Sequence, residues 1–440
     1  MISAILVANR GEIAVRVVRA CREMGIRSVL AFSEADRHTL GVRLADEAVC
    51  VGPPAAKESY LNMDNLIAAA VLAHCDAIHP GVGFLSENAT FARKVTEAGL
   101  IFIGPPADTI ALLGDKVQAK KTAVAAGVPV IPGSSGSVED SDAAVTAADE
   151  IGYPVIVKAA AGGGGKGMRV CHRREDLAGI LQIASAEAEK SFSDGTVYLE
   201  KYLVSPRHVE LQVLADSSGN VVHLGERDCS VQENHQKLVE ESPSTAVDDA
   251  LRAKMGQDAV RLFGTLDYVG AGTIEFLVAE GKHYFMEVNA RVQVEHPVTE
   301  MVTGVDIIAE QIRVAAGAPL SFTQQDIRLE GYACECRINA KAPGKVSHFH
   351  PPGGYGVRVD SFLRSGAEVS PFYDALVAKL IVHGSDREEG LARMRRALAE
   401  FEIEGVPNNI EEQLQIVGST IFRNGVFGTD VLTFIRSEAP

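Results

Sequence analysis

The first hundred residues alternate short apolar runs with stretches of helical periodicity, an order that parallel strands with helices packed on both faces accommodate best. The pattern predicts strands over residues 4–8, 27–32, 77–79 and 100–103 and helices over 66–73 and 89–95. Between the first two strands, Ile13, Val17, Ala20, Cys21 and Met24 recur at helical spacing. The expectation is a doubly wound α/β unit ending near residue 110. Its first turn, Asn9-Arg10-Gly11-Glu12, lacks the G-x-G-x-x-G spacing of a dinucleotide site.

The pattern changes after Gly114. Two helices, a strand, a glycine-rich loop, a strand, a helix and a strand follow up to about Val204, which reads as a small α+β lid. Two hairpin-like pairs come next, residues 208–214 with 221–226 and 271–278 with 283–292, with turns at 216–220 and 279–282. They predict an antiparallel sheet flanked by helices over 250–263 and 305–315. Residues 331–440 hold several short strands, a basic helix over 388–399 and another after Asn408. For 440 residues, and domains of roughly 100 to 200 residues each, two to four domains are expected.

Composition narrows the function classes. The net charge of -16 argues against a nucleic-acid partner, because phosphate binding needs a basic excess. No apolar run approaches the ~18 residues of a membrane span. The N-terminal Met1-Ile2-Ser3-Ala4-Ile5-Leu6-Val7 has neither the basic segment nor the cleavage site of a signal peptide, so a cytoplasmic protein is expected. The cysteines, Cys21, Cys50, Cys75, Cys171, Cys229, Cys334 and Cys336, are odd in number and scattered, as suits small core residues. Cys334 and Cys336 share one strand face, but no second ligand pair follows at metal-site spacing.

Two segments carry recognisable chemistry. In Lys158-Ala159-Ala160-Ala161-Gly162-Gly163-Gly164-Gly165-Lys166-Gly167 the glycines let backbone N–H groups close on phosphate oxygens, and two lysines add positive charge, as a triphosphate cover requires. It is not a Walker A loop, since no G-K-[ST] precedes a helix. In Glu287-Val288-Asn289-Ala290-Arg291-Val292-Gln293-Val294-Glu295 a strand would turn Glu287, Asn289, Arg291, Gln293 and Glu295 to one side. A turn centred on Gly281 would set Glu287 across from Glu275, about 5 Å away, where like charges repel unless they share a cation. Oxygen ligands from Glu275, Glu287 and Asn289 suit Mg²⁺ or Mn²⁺. Residues 226–237, Glu226 to Lys237, are dense in hydrogen-bonding groups without apolar periodicity; they read as a loop for ribose, phosphate or anion, or as plain surface.

Ala8-Asn9-Arg10-Gly11-Glu12-Ile13-Ala14, His79-Pro80-Gly81-Val82-Gly83-Phe84-Leu85-Ser86-Glu87-Asn88, the glycine loop, residues 226–237 and residues 287–300, ending in His296-Pro297-Val298-Thr299-Glu300, together closely resemble the biotin carboxylases. These are ATP-grasp enzymes, and the resemblance spans essentially the whole chain. It implies an α/β and α+β protein: a doubly wound N-terminal (pre-ATP-grasp) domain at 1–112, an ATP-grasp domain at 113–318 with a mobile glycine-rich lid at about 130–204, and a C-terminal mixed α+β domain at 319–440. In that family ATP phosphorylates bicarbonate to carboxyphosphate, which breaks down to CO₂ beside the biotin ring of a carrier protein.

Carried over by position, the resemblance implies that Lys116, Lys158, Gly164 and Gly165 hold the triphosphate and that Glu200, Lys201 and Leu203 meet adenine. His208, Gln232 and His235 would be further nucleotide contacts, and Glu275, Glu287 and Asn289 would take two Mg²⁺ or Mn²⁺ ions. Lys237, Arg291, Gln293 and Val294 would hold bicarbonate, for which a guanidinium fork and backbone N–H groups are suited. Glu295 resembles the general base, expected to stay ionised through its closeness to Arg291, and Arg337 resembles the group that stabilises the biotin enolate. Departures from many relatives are Glu233-Asn234 in place of two basic residues, Val82 in place of tyrosine, Ala160 and Ala161 in place of glycine or small polar residues, and a shortened segment at 339–344. No lysine lies in an Ala-Met-Lys-Met context, so a separate biotin carboxyl carrier protein and carboxyltransferase subunits are the expected partners. Arg19 and Glu23 match positions used in the family's dimer interface, which implies a homodimer. The expected setting is the first half-reaction of acetyl-CoA carboxylase in fatty acid synthesis. The alternatives are a component of another acyl-CoA or pyruvate carboxylase, or a different ATP-grasp carboxylate-amine ligase.

Overall fold

The computed structural model describes residues 2–134, 136, 138, 141–159, 168–192 and 195–438; the glycine loop at 160–167, with Gly164 and Gly165, lies outside the described residues. The chain forms two compact units, residues 1–128 with 207–440, and residues 129–206.

The larger unit begins with β1 (Ala4–Val7), α1 (Gly11–Glu23), β2 (Arg27–Ser33), α2 (Leu40–Leu44), β3 (Glu47–Gly52), α3 (Met63–Leu72), β4 (Ala77–His79), α4 (Ala89–Glu97) and β5 (Ile101–Phe102). The five strands are parallel in the order β3-β2-β1-β4-β5, the doubly wound arrangement that the alternation implies. Strand β3 escapes a reading by pattern because it is a largely exposed edge without regular alternation. Helix α1 buries Ile13, Val17, Ala20 and Cys21 against Ile5 and Val7. Helices α5 (Ala107–Gly114) and α6 (Lys116–Ala125) follow, and the Asp115 side chain caps α6 by accepting from the amides of Val117 and Gln118.

The smaller unit holds α7 (Ser141–Ile151), β6 (Val155–Ala159), β7 (Met168–Cys171), α8 (Leu177–Phe192) and β8 (Val197–Lys201). Its antiparallel sheet, in the order β7-β6-β8, packs Val155, Val157 and Leu199 against Ala148, Leu181 and Ala184 of the helices.

The rest of the larger unit is organised by one antiparallel sheet. It contains β9 (Arg207–Ala215), β10 (Val221–Glu233), β11 (Gln236–Ser242), β12 (Gly270–Ala279), β13 (Lys282–Asn289) and β14 (Tyr332–Asn339). Helices α9 (Asp249–Phe263), α10 (His296–Thr303) and α11 (Ile307–Ala315) flank these strands. The segments β15 (Gly344–Lys345), β16 (His348–His350), β17 (Val357–Ser361), β18 (Glu368–Val369), β19 (Leu376–Gly384), α12 (Arg387–Glu400), β20 (Glu402–Glu404), α13 (Ile410–Gly418), α14 (Thr420–Asn424) and α15 (Val431–Glu438) complete it. The eight strands run β13-β12-β9-β10-β11-β14-β19-β17, so β14, β17 and β19 extend the sheet begun by the two hairpins. β15 pairs with β18 and β16 with β20 as small ribbons. Of the cysteines, Cys50 alone is exposed, and Cys334 and Cys336 lie in the apolar core beneath β14.

Three local expectations are corrected. Residues 226–237 are not a loop: β10 and β11 form a hairpin closed at Asn234 and His235, with φ of 50° and 65°, and Glu226, Arg227, Asp228, Cys229 and Ser230 are buried. Their polar side chains pair mostly with groups on other strands and helices, Arg227 with Glu210, Asp228 with Arg207 and Glu226 with Arg252, which removes the apolar periodicity that marks most buried strands. The turn after β12 is the pair Glu280-Gly281, with φ of 52° and 69°, rather than a turn centred on Gly281. That register alone would offer Met286 to Glu275, but a β-bulge between the Phe276 and Glu275 pairings restores Glu287 as the partner of Glu275. Third, the strand stops at Asn289. The amide of Ala290 donates to Glu87 Oε1 at 2.9 Å, so the chain curls through 290–294, and Pro297 starts α10 with Glu295 at its N-cap.

Gly272 on β12 faces buried aromatic rings: a Cβ there would lie 2.5 Å from Tyr268 Oη and 2.6 Å from Phe263 Cε1. Gly272→Val is expected to cost about 1–3 kcal/mol by overpacking. A lowered thermal unfolding midpoint would register this, and an unchanged midpoint would show that the rings give way freely.

Candidate active site

Sheet register assembles a row of ionisable groups. Glu287 lies opposite Glu275, Glu275 opposite Glu210, and Glu210 opposite Arg227, so strands β13, β12, β9 and β10 present these side chains to one side. Further along the sheet Glu240 lies opposite Glu335, Arg337 opposite Lys379, and Lys379 opposite Asp360.

Lys237, near the start of β11, ties this row together. Its Nζ donates to Glu210 Oε2 at 2.6 Å, Glu275 Oε1 at 3.1 Å and Glu295 Oε1 at 2.6 Å. The second oxygen of Glu295 accepts from Arg337 Nη2 at 3.0 Å, and Arg337 Nε donates to Glu240 Oε1 at 2.6 Å. Arg227 underlies the group, donating to Glu210 Oε1 at 2.7 Å, Gln212 Oε1 at 2.8 Å and Thr299 Oγ1 at 3.0 Å. The side chains of Glu210 and Glu295 are wholly buried, and that of Lys237 is 12% exposed. Two sets of ligand-type atoms, His208 with Glu210 and Glu275, and Glu210 with Cys229 and Glu295, each lie within 4.8 Å of one another. Lys237 already supplies a cation to the carboxylates of both sets.

Four carboxyls here face the three cations Lys237, Arg227 and Arg337, and they do not share the charge equally. Burial acts to raise all four. For Glu295 it is outweighed by Lys237, Arg337 and Arg227, which hold the carboxyl well below the usual carboxylate range. For Glu275, Lys237 and His208 likewise prevail and hold it below that range. At Glu210 burial prevails over Lys237 and the carboxyl is pushed up; Glu240 is pushed up to about 7 by burial despite Arg337. The site therefore separates its acids, with Glu295 and Glu275 held below the usual carboxylate range by the cations and Glu210 and Glu240 raised by burial, a division typical of acid–base centres.

The remaining predicted residues of the larger unit fall around this core. His208 Nε2 lies 2.9 Å from Glu275 Oε2, and Gln232 Nε2 donates to His208 Nδ1 at 2.7 Å, which puts the ring proton on Nε2. Asn289 Nδ2 and Gln293 Nε2 donate to Glu275 Oε1 at 2.9 and 3.3 Å. Glu287 is half-exposed, 3.7 Å from Lys116 Nζ. His235 is exposed at the hairpin turn. In the smaller unit Lys158 Nζ donates to Glu200 Oε2 at 2.6 Å, Lys201 Nζ donates to the carbonyls of Gly152 and Tyr153 at 2.9 and 3.0 Å, and the half-buried Leu203 follows β8.

Arg291 departs from expectation. Its Nε donates to Glu87 Oε2 at 2.8 Å and its Nη atoms reach Gln293 Oε1 at 2.9 Å and Asn289 Oδ1 at 3.0 Å, so the cations that keep Glu295 ionised are Lys237 and Arg337 instead. The physical reason is the end of β13: once 290–294 curl, Arg291 and Glu295 no longer share a strand face. Val294 lies within that curl, and its carbonyl accepts from Lys379 Nζ at 2.7 Å.

Pattern reading assigned no role to Glu87, Glu210, Arg227, Glu240 or Lys379. For Lys379 a signal was present, a single lysine inside the apolar run Leu376-Val377-Ala378-Lys379-Leu380-Ile381-Val382. The others sit in segments that mix polar and apolar residues, as in Val209-Glu210-Leu211-Gln212, where only the fold reveals that the polar face is buried.

Comparison with known proteins bears on this geometry. Family models match residues 1–110 (biotin carboxylase, N-terminal domain), 115–323 (carbamoyl-phosphate synthase L chain, ATP binding domain) and 335–433 (biotin carboxylase C-terminal domain). Biotin carboxylase 1 of Bacillus subtilis is 52% identical over 442 residues, covering 98% of each chain. One pyruvate carboxylase subunit, from Methanothermobacter thermautotrophicus, is 50% identical, covering 98% of this chain and 89% of that protein. The biotin carboxylase domain dimer of Hydrogenobacter thermophilus 2-oxoglutarate carboxylase, solved with MgADP, ADP and bicarbonate, superposes with a TM-score of 0.88 at 46% identity over 100% of both chains.

The raised Glu240 carboxyl has a measurable consequence. A carboxyl that binds its proton more tightly in the folded state than at its ordinary 4.5 contributes stability at low pH that is lost as pH rises toward about 7. Glu240→Gln, which keeps an acceptor for Arg337, is expected to gain in thermal midpoint relative to the parent across that window. A difference that stays constant with pH would show that Glu240 carries no proton.

Proposed function

This chain belongs to the biotin carboxylase family of ATP-grasp enzymes, and we propose that it carboxylates biotin on a separate carrier protein, using ATP and bicarbonate by way of carboxyphosphate. The observation that carries this reading is Glu295, fully buried, ionised, and held by hydrogen bonds from Lys237 and Arg337. As the base, Glu295 takes the bicarbonate proton while a bicarbonate oxygen attacks the γ-phosphate of ATP. ADP leaves, and the carboxyphosphate formed releases CO₂ and phosphate. A carboxylate so strongly held is a weak base. A bicarbonate anion placed against Lys237 and Arg337 shares their charge and raises the proton affinity of Glu295 when the substrate is present. The released phosphate takes the proton of the biotin ring nitrogen, Arg337 offers its guanidinium to the biotin oxygen as enolate charge develops, and the nitrogen then bonds to CO₂ to give carboxybiotin.

Family correspondence supplies the nucleotide residues: Lys116, His208, Gln232, His235 and Glu275 in the larger unit, and Lys158, Glu200, Lys201 and Leu203 in the smaller. The donor set of Glu275, Glu287 and Asn289 fits Mg²⁺ or Mn²⁺: it is oxygen-only, its two carboxylates are cross-strand partners, and among the described residues the ammonium nearest Glu287 is that of Lys116 at 3.7 Å. When bound, such ions neutralise phosphate charge and favour transfer of the γ-phosphoryl group. Arg291 and Gln293 complete the bicarbonate end.

We assign the chain to an acetyl-CoA carboxylase in fatty acid synthesis, with carboxyltransferase subunits as further partners. The match to a pyruvate carboxylase component supports a second reading, in which the acceptor is a keto acid. Residues Arg19 and Glu23 on α1, with Arg16, Glu300, Asp306 and Arg358, line an open cavity of about 380 Å³ that suits the self-complementary charged contact of a homodimer. Among the described residues no helix is long and apolar enough to cross a membrane.

Bicarbonate together with free biotin is expected to stimulate slow ATP cleavage, followed as ADP release; stimulation by an amine in their place would overturn the assignment. Glu295→Gln is expected to lower bicarbonate-dependent turnover by about 10²–10⁴-fold, the usual worth of a positioned base, with nucleotide binding nearly intact by titration. Retained turnover would place the base elsewhere.

A further inference from the structure

One fully buried cation has no part in the proposed reaction. Lys379 stands mid-way along β19 with no side-chain exposure, a position lysine rarely occupies without partners. Burial acts to strip its proton, but Glu12, Glu335 and Asp360 outweigh burial and keep it charged. Its Nζ donates to the Val294 carbonyl oxygen at 2.7 Å, and stands 3.1 Å from Glu12 Oε2 on α1 and 3.9 Å from Asp360 Oδ2 on β17. Val294 immediately precedes Glu295 in a segment outside the sheet ladder. The carbonyl before it, that of Gln293, accepts from the buried ring of His296 at 2.8 Å. Two consecutive carbonyls leading to Glu295 are thus each gripped by a buried side chain.

Lys379 also lies directly opposite Arg337 in the sheet, so the strand that carries the anchoring ammonium also fixes the backbone of Arg337. Neighbouring Glu335, two residues before Arg337, adds to the electrostatic hold on the ammonium but accepts no hydrogen bond from it. Among the described residues neither of its oxygens has a hydrogen-bond partner, and burial pushes its carboxyl well above the usual range. An ion pair needed only for folding would be satisfied by Glu12 and Asp360; the shortest contact is instead to the peptide next to the base.

We propose that Lys379 is a positioning residue for the carboxylation reaction: its buried ammonium fixes the Val294 carbonyl and thereby holds the Glu295 carboxylate in line with Lys237 and Arg337. This rests on the reading of Glu295 as the base. The test is made in a Glu12→Gln background, so that removing the ammonium leaves no ionised Glu12 behind, with Glu12→Gln alone as the reference. Lys379→Met in that background is expected to lower kcat for bicarbonate-dependent ATP cleavage by about 100-fold, the effect of an ångström-scale misplacement, while the KM for ATP stays near the reference. Lys379→Arg, which keeps a charged donor, is expected to restore part of the loss. A folded Met variant with reference kcat would overturn the proposal. So would a parallel loss of kcat, ATP affinity and thermal midpoint without recovery by arginine, or failure to fold, since either assigns Lys379 to the fold. Glu295→Gln measured alongside separates the two claims. If it keeps turnover, the base assignment fails; if it loses turnover while Lys379→Met keeps it, only the positioning role fails.

Discussion

The contact of one ammonium with three buried carboxylates is the interaction on which the rest of the site depends. Lys237 bridges Glu210, Glu275 and Glu295, which come from β9, β12 and the N-cap of α10. Without that cation three carboxylates would be buried within a few ångströms of one another, and removing one partner from a buried ionic cluster typically costs about 3–5 kcal/mol. The cluster is therefore as much a constraint on the fold as a property of it. It requires the hairpin of β10 and β11 to close tightly enough that Lys237 returns over the sheet.

Excess acid is what differentiates the site. With more carboxyls than cations in a dry environment, burial raises some of them while the cations hold others down, and position decides which. Glu295 is touched by both Lys237 and Arg337 and stays ionised; Glu240 shares Arg337 and rises to about 7. Arg227, deepest of the cations, keeps its charge although burial opposes it, because Glu210 and Glu295 outweigh burial. A cluster balanced in this way responds to an arriving anion by redistributing protons rather than by unfolding.

Backbone geometry carries the same logic. The bulge in β13 converts a register that would pair Glu275 with Met286 into one that pairs it with Glu287, leaving Met286 on the exposed side at 40% exposure. The end of the strand two residues later, enforced by Glu87 and Pro297, separates Arg291 from Glu295 and lets Glu295 enter the buried cluster from the helix end. Each irregularity places a charged group where a regular ladder would not.

Much of this was legible in the order of residues alone. The β-α alternation determined the doubly wound sheet because periods of 2 and 3.6 are local properties, and the two hairpins followed from turn residues and apolar runs. Glu275 facing Glu287 was readable from turn position, although for an imperfect reason, since the turn is offset and a bulge compensates. What the tertiary structure decided is non-local: that β14, β17 and β19 join the hairpins in one sheet, that residues 226–237 are buried strands, and that Glu295 answers to Lys237 and Arg337 rather than to Arg291. Burial of a charged strand leaves no periodic trace in sequence, because its partners are supplied by strands up to about a hundred residues away and appear only once the register across the sheet is set.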